Sequence, residues 1–435
     1  MKAADLIPVV SQLNPLKQYG KVTRVVGLTI ESQGPKTAIG DICLIHTNHQ
    51  KEIVWAEVVG FKDQKVLLMP FTPMVDIGPG NLVEATGKSL QIKVGTNIVG
   101  QVLDGIGRPL NGMDLPKGLL VTDAEREPPN PLMRPRIDTP LSLGVKAIDG
   151  LLTVGRGQRV GIFAGSGVGK STLLSMITKH SEADVNVIAL IGERGREVKE
   201  FIERDLGEKG MKKSIVVVAT SDQPALMRVK GAFTATAIAE YFRDQGKHVN
   251  LMMDSVTRFA MAQREIGLAV GEPPTTKGYT PSVFALLPRL LERSGTYNEG
   301  SITAFYTVLV DGDDLNEPIA DAVRGILDGH LVLDRKLADK GHFPAIHILK
   351  SVSRIMNEIV TPEHREIAST VRRLLATYEE SEDLIQIGAY KKGSSPEVDE
   401  AMEKIPSIHA FLQQDMHEAY TFDETMEQLV KSVQS

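Results

Sequence analysis

Cysteine is nearly absent from this sequence, because its 435 residues include only Cys43. A single cysteine cannot form an intramolecular disulfide, which excludes a disulfide-stabilised protein of an oxidising compartment and favours a reduced cytosol. Long apolar runs are also missing. No stretch approaches the roughly 20 apolar residues of a membrane span, and Asp5 and Pro8 interrupt the N-terminal region where a signal peptide would be continuous. We therefore expect neither secretion nor membrane insertion.

Charge of one sign is not in excess either. The chain has 49 Lys and Arg against 55 Asp and Glu, a formal net charge of −6. This balance gives no general attraction to nucleic acid or anionic lipid, although a net charge does not reveal a local basic patch. With 42% hydrophobic residues the composition is that of a globular protein. At about 150 residues per domain, the length predicts two to four domains with substantial cores.

The first part of the chain shows two patterns. In residues 1–20, four apolar residues have helical spacing, but two prolines limit any helix to a short piece. The apolar residues are Leu6, Val9, Val10 and Leu13, and the prolines are Pro8 and Pro15. Residues 21–93 contain short alternating apolar runs separated by glycine-rich turns, which predicts a small antiparallel barrel or sandwich.

The remainder is divided by a proline-rich stretch at 128–140, which we expect to be an extended connection. From about 156, apolar strands alternate with amphipathic helices, the clearest helix spanning 224–245, and this predicts a parallel sheet covered on both faces. The predicted strands are QRVGIFA, VNVIALIG, SIVVVATS, VNLMMDS and SITAFYTVLVDG. Residues 361–435 are charged and mostly helical, with TVRRLLATYEE and TFDETMEQLVKSV as helices and GAYKKGSSPE as a break.

A glycine-rich segment follows the first of these strands and precedes a helix. It runs Ala164-Gly165-Ser166-Gly167-Val168-Gly169-Lys170-Ser171-Thr172, which matches a relaxed phosphate-loop pattern with alanine at the first position. In such loops backbone N–H groups surround phosphate oxygens, lysine neutralises the β and γ charge, and the serine hydroxyl can bind Mg²⁺. A glycine-rich turn without a ligand is the alternative interpretation.

Two carboxylates fit the same site. Asp254 closes the strand VNLMMD and would hold Mg²⁺ through water, although an aspartate there can also cap a helix. Glu193 follows the strand VNVIALI and would orient the attacking water, although it can also be a first-turn helix carboxylate. Ligands of open α/β sheets bind outside the carboxyl ends of the strands, so we expect both carboxylates to converge on Lys170. Together they describe a Mg²⁺-dependent nucleoside triphosphatase.

At this point the sequence resembles the rotary-type hexameric ATPases related to the catalytic subunit of ATP synthase, over nearly its whole length. Within them it most resembles the type III secretion ATPases, in particular the flagellum-specific branch. The strings that carry the resemblance are FAGSGVGKSTL, ALIGERGREVKEFI, VVVATSDQPALMR, the segment from MMDSVTRFAMAQREIG to LLERSG, FYTVLVDGDDLNEPIADAVRGILDGHLVLDR and IGAYKKGSSPEVDEAM. The resemblance implies a RecA-like ATPase domain over 94–360, between an N-terminal β-barrel and a C-terminal helical domain.

The resemblance also implies residue roles. GERGRE is similar to the family's GER motif, which makes Glu193 the catalytic carboxylate and Arg194 a neighbour of the γ-phosphate. KSVSRIM is similar to the family's S-x-S-R motif, so Arg354 resembles an arginine finger supplied to the adjacent subunit; without the resemblance it would be an ordinary exposed arginine. GHFPAIHIL implies that Phe343 stacks on adenine, with a place in the core as the alternative.

The implied protein is a cytoplasmic homohexamer, peripherally associated with the inner-membrane export apparatus, that uses ATP and Mg²⁺. Its implied partners are export chaperones, export substrates and a stator-like regulatory protein bound to residues 1–20, a segment that can instead pack on the chain's own barrel. Three other hypotheses remain: an injectisome ATPase, the catalytic subunit of a proton-translocating ATP synthase, and an RNA translocase resembling Rho. Residues 21–93 lack interleaved aromatic and basic residues, so we expect no specific nucleic-acid partner.

Overall fold

The computed structural model describes residues 17–47, 53–112, 114–310 and 314–434. The predicted helical stripe of residues 6–13 lies outside these ranges. None of the helices in the described ranges combines the length and apolar character that a bilayer span requires.

The first six strands close into an antiparallel barrel in the order β1-β2-β5-β4-β3-β6. Their bounds are β1 Tyr19–Val26, β2 Thr29–Gln33, β3 Ile42–His46, β4 Ile53–Lys62, β5 Lys65–Pro70 and β6 Leu82–Ala85. Alternate residues of the strands point inward, and Val22, Ile30, Cys43 and Ile45 belong to the barrel's own apolar core. The predicted small antiparallel barrel is confirmed.

The next strands connect the barrel to a large central sheet. Strands β7 (Gln91–Val94) and β9 (Leu120–Asp123) form an antiparallel ribbon, and β8 (Val102–Asp104) joins the edge of the central sheet. The barrel is also tied to the core by charge: Lys230 is buried between Glu57 of β4 and Glu125 of the connection, and its Nζ lies 2.6 Å from Glu57 Oε2.

The central sheet has the order β17-β16-β10-β15-β13-β11-β12-β8, with β14 paired to β15. Its remaining strands are β10 Arg159–Ala164, β11 Val185–Ile191, β12 Ser214–Ala219, β13 His248–Asp254, β14 Gly295–Thr296, β15 Ser301–Leu309, β16 Gly329–Leu333 and β17 Val352–Ser353. The strands β16, β10, β15, β13, β11, β12 and β8 run parallel, and every residue of β11 is buried, as expected for a strand covered on both faces. All five predicted strands are present.

Helices cover both faces of this sheet. The helices of the α/β part are α1 Lys146–Leu151, α2 Lys170–His180, α3 Gly195–Glu200, α4 Gly207–Met211, α5 Ala225–Asp244, α6 Val256–Val270, α7 Pro281–Leu291, α8 Pro318–Ile326, α9 Arg335–Asp339 and α10 Met356–Ile359. A π-helical turn, Phe201–Leu206, joins α3 to α4, and short 3₁₀ turns lie at Thr96–Ile98, Pro131–Met133, Thr276–Gly278 and Ile348–Lys350. Helix α5 confirms the prediction over 224–245.

Three longer helices end the chain: α11 Pro362–Gln386, α12 Pro396–Leu412 and α13 Phe422–Gln434. Helices α5 to α8 pack on one face of the sheet, whereas α1, α2 and the three C-terminal helices share the apolar core of the other face. The two predicted C-terminal helices lie in α11 and α13, and the predicted break separates α11 from α12. The loops after the carboxyl ends of β10, β11 and β13 meet at one edge of the sheet, and this edge carries the candidate site.

Candidate active site

The loop between β10 and α2 folds tightly around its glycines. Gly167 (φ 78°) and Gly169 (φ 92°) occupy the left-handed region, which residues with a side chain rarely adopt. Val168 between them is buried and anchors the loop, while Ser166 and Ser171 are exposed. Helix α2 begins at Lys170, directly after the loop.

The start of α2 is suited to an anion. The first N–H groups of a helix have no intrahelical acceptor and carry partial positive charge, and the loop adds its own N–H groups beside them. The predicted nucleotide-binding residues of the loop, Gly165 to Thr172, are therefore contiguous around one helix N-terminus.

Lys170 lies between the two predicted carboxylates. Its Nζ is 2.6 Å from Oδ1 of Asp254 and 3.5 Å from Oε1 of Glu193. Asp254 is the last residue of β13 and Glu193 follows β11 by two residues, so neighbouring parallel strands deliver both side chains to the loop. The structure thus brings together the three charged residues that the sequence analysis expected to converge.

Burial and mutual charge interactions shift the pKa values of Glu193 and Lys170. Burial raises the pKa of Glu193 to about 7, the charge of Asp254 acts in the same direction, and Lys170 opposes the shift. Burial disfavours the charge of Lys170, but Asp254 and Glu193 outweigh that effect and raise its pKa above the ordinary value. A carboxyl group with a pKa near neutrality, beside a lysine that stays charged, is typical of a catalytic site.

The donor set fits a magnesium ion held jointly with a phosphate ligand. Ser171 offers a hydroxyl oxygen and Asp254 a carboxylate oxygen, both donor types that Mg²⁺ prefers. Within the described ranges, no group of three or more His, Cys, Asp and Glu could hold a metal ion by itself. Mg²⁺ in nucleotide sites uses one or two protein ligands together with substrate phosphates, and Ser171 and Asp254 are suitable protein ligands.

Arg194 lies at the rim of the site. It is the residue before helix α3, and its Nη1 pairs with Oε1 of Glu197 at 3.2 Å. The side chain of Arg194 is 82% exposed. In this conformation the guanidinium faces solvent and Glu197, and the structure does not place it against Lys170.

Two further arginines contact the site and were missed by the sequence analysis. Arg258, in the first turn of α6, packs so closely on Gly192 that a Cβ there would lie 2.6 Å from Cβ of Arg258, and its Nε is buried without a hydrogen-bond partner. Arg335 donates from Nη2 to the carbonyl oxygen of Ser166, 3.0 Å away. The sequence contains a signal for Arg258, because this residue lies four positions after Asp254 in the first turn of a helix. No pattern around Arg335 in the sequence indicates that it contacts the loop.

Phe343 lies beside the phosphate loop, next to Gly169. Two carbons of its ring lie 3.5 Å from the position that a Cβ would take on Gly169, and the residue is 44% exposed. Its carbonyl oxygen accepts a hydrogen bond from the backbone N–H of Gln414, which fixes the segment to the C-terminal helical region. A half-exposed ring beside a phosphate loop has a free face for a flat ligand, and this exposure argues against the alternative that Phe343 is a core residue.

Arg354 is not near its own loop. Its backbone N–H donates to the carbonyl oxygen of Asp328, just before β16 begins, whereas the loop follows the far end of β10. Because β16 runs parallel to β10 in register, the backbone of Arg354 and the phosphate loop are separated by the strand length, about 13 Å at ~3.3 Å per residue. Arg354 is exposed at this opposite edge.

The chain matches three known family models along its length. Residues 22–87 match the ATP synthase alpha/beta family β-barrel domain, 144–353 match the nucleotide-binding domain of the same family, and 360–431 match the T3SS EscN ATPase C-terminal domain. These matches correspond to the barrel, the central sheet with its helices, and the C-terminal helices, so the predicted fold class is confirmed.

Individual proteins are similar over almost the whole chain. The chain is 63% identical over 427 residues to the flagellum-specific ATP synthase of Bacillus subtilis (strain 168), covering 98% of both chains. Among solved structures it resembles the assembled ATPase EscN of the enteropathogenic E. coli type III secretion system, with a TM-score of 0.90 and 49% identity. EscN in complex with its central stalk EscO gives a TM-score of 0.88 at 49% identity, and both comparisons cover 95% of this chain and 100% of the other.

Proposed function

The chain belongs to the ATP synthase alpha/beta family and is a P-loop ATPase, and we propose that it works as the homohexameric, Mg²⁺-dependent ATPase of a flagellar type III export system. The main support for this proposal is the cluster of Lys170, Glu193 and Asp254 at one edge of the sheet. The chain that contains this cluster aligns over 98% of its length with a flagellum-specific relative.

The chemistry proposed for the site is hydrolysis of the terminal phosphate of ATP. Lys170 and the N–H groups of the loop bind the β- and γ-phosphates, which fixes the substrate in line with the attacking water. Glu193 orients that water and accepts its proton, a role suited to a pKa of about 7. Ser171 and Asp254 would hold Mg²⁺, Asp254 through water, and the ion would supply charge neutralisation at the phosphates.

The cationic and aromatic residues around the loop complete the proposed site. Arg194 reaches the γ-phosphate by leaving Glu197, and Arg258 uses its free Nε donor for a phosphate oxygen. Phe343 stacks on the adenine base with the face it leaves exposed.

Arg354 acts in the neighbouring subunit in this proposal. It is exposed at the sheet edge opposite to its own loop, so within one chain it cannot complete the site that this chain begins. A ring in which each chain offers Arg354 to the next makes oligomerisation a condition for activity. An arginine finger of this kind contributes ~10³–10⁵ in rate in other NTPases.

Flagellar export is the preferred biological role among the related possibilities. The flagellum-specific ATP synthase of Bacillus subtilis is 63% identical to this chain, whereas EscN is 49% identical, and residues 360–431 match the T3SS EscN ATPase C-terminal domain. An ATP synthase catalytic subunit would also need a different partner subunit to form its hexamer. An injectisome role would leave the chemistry unchanged and change only the exported proteins.

The proposed partners follow from this role. A central stalk is proposed by analogy with EscO on EscN. Export chaperones, export substrates and the membrane export apparatus are further proposed partners of a cytoplasmic hexamer, and residues 1–20 are the proposed binding segment of a stator-like regulatory protein.

The proposal is tested by measuring steady-state ATPase activity against protein concentration, with light scattering on the same samples. We expect the rate per subunit to rise steeply as hexamers form, without any other chain and without stimulation by added RNA. A constant rate per subunit from monomers would contradict the ring, activity only with a second, different subunit would favour an ATP synthase, and stimulation by RNA would favour the translocase.

A further inference from the structure

The hydroxyl of Thr307 contacts the same carboxylate oxygen as Lys170. Its Oγ1 lies 2.8 Å from Oδ1 of Asp254 and 3.2 Å from the carbonyl oxygen of Met253. Thr307 is completely buried in strand β15, next to β13, where Tyr306 stands opposite Met253. The hydroxyl has one hydrogen to donate, and the charged, closer acceptor is the carboxylate.

Lys170 and Thr307 differ in what they can do once a nucleotide is present. In this structure Lys170 Nζ is 2.6 Å from Oδ1 of Asp254, but a phosphate-loop lysine is also required by the β- and γ-phosphates. When Lys170 turns toward phosphate oxygens, Asp254 loses its closest donor. Thr307 has no competing phosphate ligand, because it is completely buried in β15.

We propose that Thr307 is a positioning residue for Asp254, which it holds in the orientation needed to bind the water shell of Mg²⁺. This inference rests on the proposed function of the site as a Mg²⁺–nucleotide site. A β-branched side chain is stiff about its first torsion angle, and strand β15 is paired on both sides, so the donor position is fixed. Mg²⁺ demands nearly ideal octahedral geometry, which makes its binding sensitive to the orientation of one carboxylate.

The chain offers well-matched variants for a test. Thr307→Ser and Thr307→Ala both lose the methyl group and differ only in the hydroxyl, while Thr307→Val keeps the volume and loses the hydroxyl. Thr303→Val is the control, because Thr303 is buried in the same strand but its hydroxyl accepts from the backbone N–H of Gly157, at 2.8 Å. It removes an equivalent buried hydroxyl that does not contact Asp254.

The measurement is equilibrium binding of a fluorescent, non-hydrolysable ATP analogue to the purified full-length protein, with Mg²⁺ and with EDTA. Without Mg²⁺ we expect all variants to bind as the unmodified protein does. We expect Mg²⁺ to tighten binding about 10-fold less in Thr307→Ala and Thr307→Val than in the unmodified protein, as for loss of a hydrogen bond to a charged group. Thr303→Val should retain the full effect of Mg²⁺, and Thr307→Ser should retain most of it, because serine keeps the hydroxyl donor and loses only the restriction of the β-branch.

Thermal melting of each variant separates this role from a purely structural one. If the proposal is correct, Mg²⁺ tightens analogue binding more in Thr307→Ser than in Thr307→Ala at a temperature where melting shows both to be folded. This comparison remains possible even where Thr307→Val does not fold. Equal effects of Mg²⁺ in the serine and alanine variants would overturn the inference while leaving the proposed function intact. Failure of the unmodified protein to bind the analogue more tightly with Mg²⁺ would overturn both.

Discussion

The guanidinium of Arg354 donates from Nη2 to the carbonyl oxygen of Arg324, 3.2 Å away, in the last turn of helix α8. Carbonyl groups at a helix C-terminus lack intrahelical partners and attract a cation, so this contact holds the arginine at the surface. A single exposed hydrogen bond is weak enough to exchange for a stronger acceptor such as a phosphate. The arrangement is therefore compatible with an arginine that is offered to a neighbouring chain.

Mixing two inactive variants tests action between subunits. Arg354→Ala keeps an intact loop and lacks the finger, whereas Lys170→Ala lacks the loop lysine and keeps the finger. If the finger acts in the adjacent site, mixed hexamers contain composite sites with both groups, and we expect ATPase activity to return well above either variant alone. A mixture of Lys170→Ala with Glu193→Gln is the control and should stay inactive, because both changes lie in the half-site provided by one chain. Absence of recovery in proven mixed hexamers would contradict the assignment.

Glu193 makes the reaction dependent on pH in a defined direction. The water-polarising role requires the ionised carboxylate, and its pKa is raised to about 7, so kcat/KM should fall as the pH is lowered through about 7. Glu193→Gln should bind ATP normally and lose roughly 10²–10⁴ in turnover. Undiminished turnover in that variant would exclude this role.

Two carboxylates of helix α3 test this assignment, Glu197 as a residue that should shift the pH profile and Glu200 as the control. The nearby charge of Glu197 raises the pKa of Glu193, so Glu197→Gln should move the acidic limb to lower pH. Glu200 lies on the same helix but pairs with Arg196 at 2.8 Å, and Glu200→Gln should leave the profile in place. Equal profiles for all three proteins would contradict a contribution of Glu197 to the pKa of Glu193.

Lys170→Ala tests the phosphate loop directly. The change removes the cation shared by Asp254 and Glu193 and, in the proposed complex, the contact to the β- and γ-phosphates, so nucleotide affinity should fall at least ~10- to 100-fold with loss of turnover. Lys179→Ala, in the last turn of the same helix, is the matched control. Near-normal binding and turnover in Lys170→Ala would refute the assignment of the loop.

Much of the fold was predictable because buried parallel strands leave a strong signal. Strands β11 and β13 are both rich in apolar residues, and β13 ends in Asp254, so this pattern located both the sheet and the edge where Asp254 lies. Strands β8 and β17 have three and two residues and exist only because longer neighbours pair with them. No periodicity can reveal such short elements.

The site was predictable to the extent that its residues follow strand ends. Asp254 ends β13, whereas Glu193 and Lys170 follow β11 and β10, so the topology of the sheet brings them together. The contact of Arg335 with Ser166 joins positions 169 residues apart, and it depends on how α9 packs against the loop. The hydrogen bond from Thr307 to Asp254 likewise depends on strand register, which the residue pattern does not specify.

Residues 1–16 precede the described part of the chain, and deleting them tests the proposed stator-binding segment while all six barrel strands are kept. Lys17 pairs with Glu84 at 2.7 Å, and the carbonyl oxygen of Gln18 accepts from the N–H of Ala85, so the truncation should begin before these contacts. We expect the truncated protein to keep its thermal stability and to lose binding of the stator-like protein in a titration. Undiminished binding would refute the segment's role, and a large loss of stability would favour its packing on the barrel.

Phe343 should determine affinity for the base and not for the phosphates. Its exposed ring lies over the loop at Gly169, and base–aromatic stacking contributes ~1–3 kcal/mol, so Phe343→Ala should weaken ATP binding about 5- to 100-fold. Tripolyphosphate has no base, and its affinity should be the same in both proteins. Phe343→Tyr keeps the ring and should bind ATP normally. Equal weakening of ATP and tripolyphosphate would instead mean that Phe343 supports the loop, because a stacking residue cannot affect a ligand without a base.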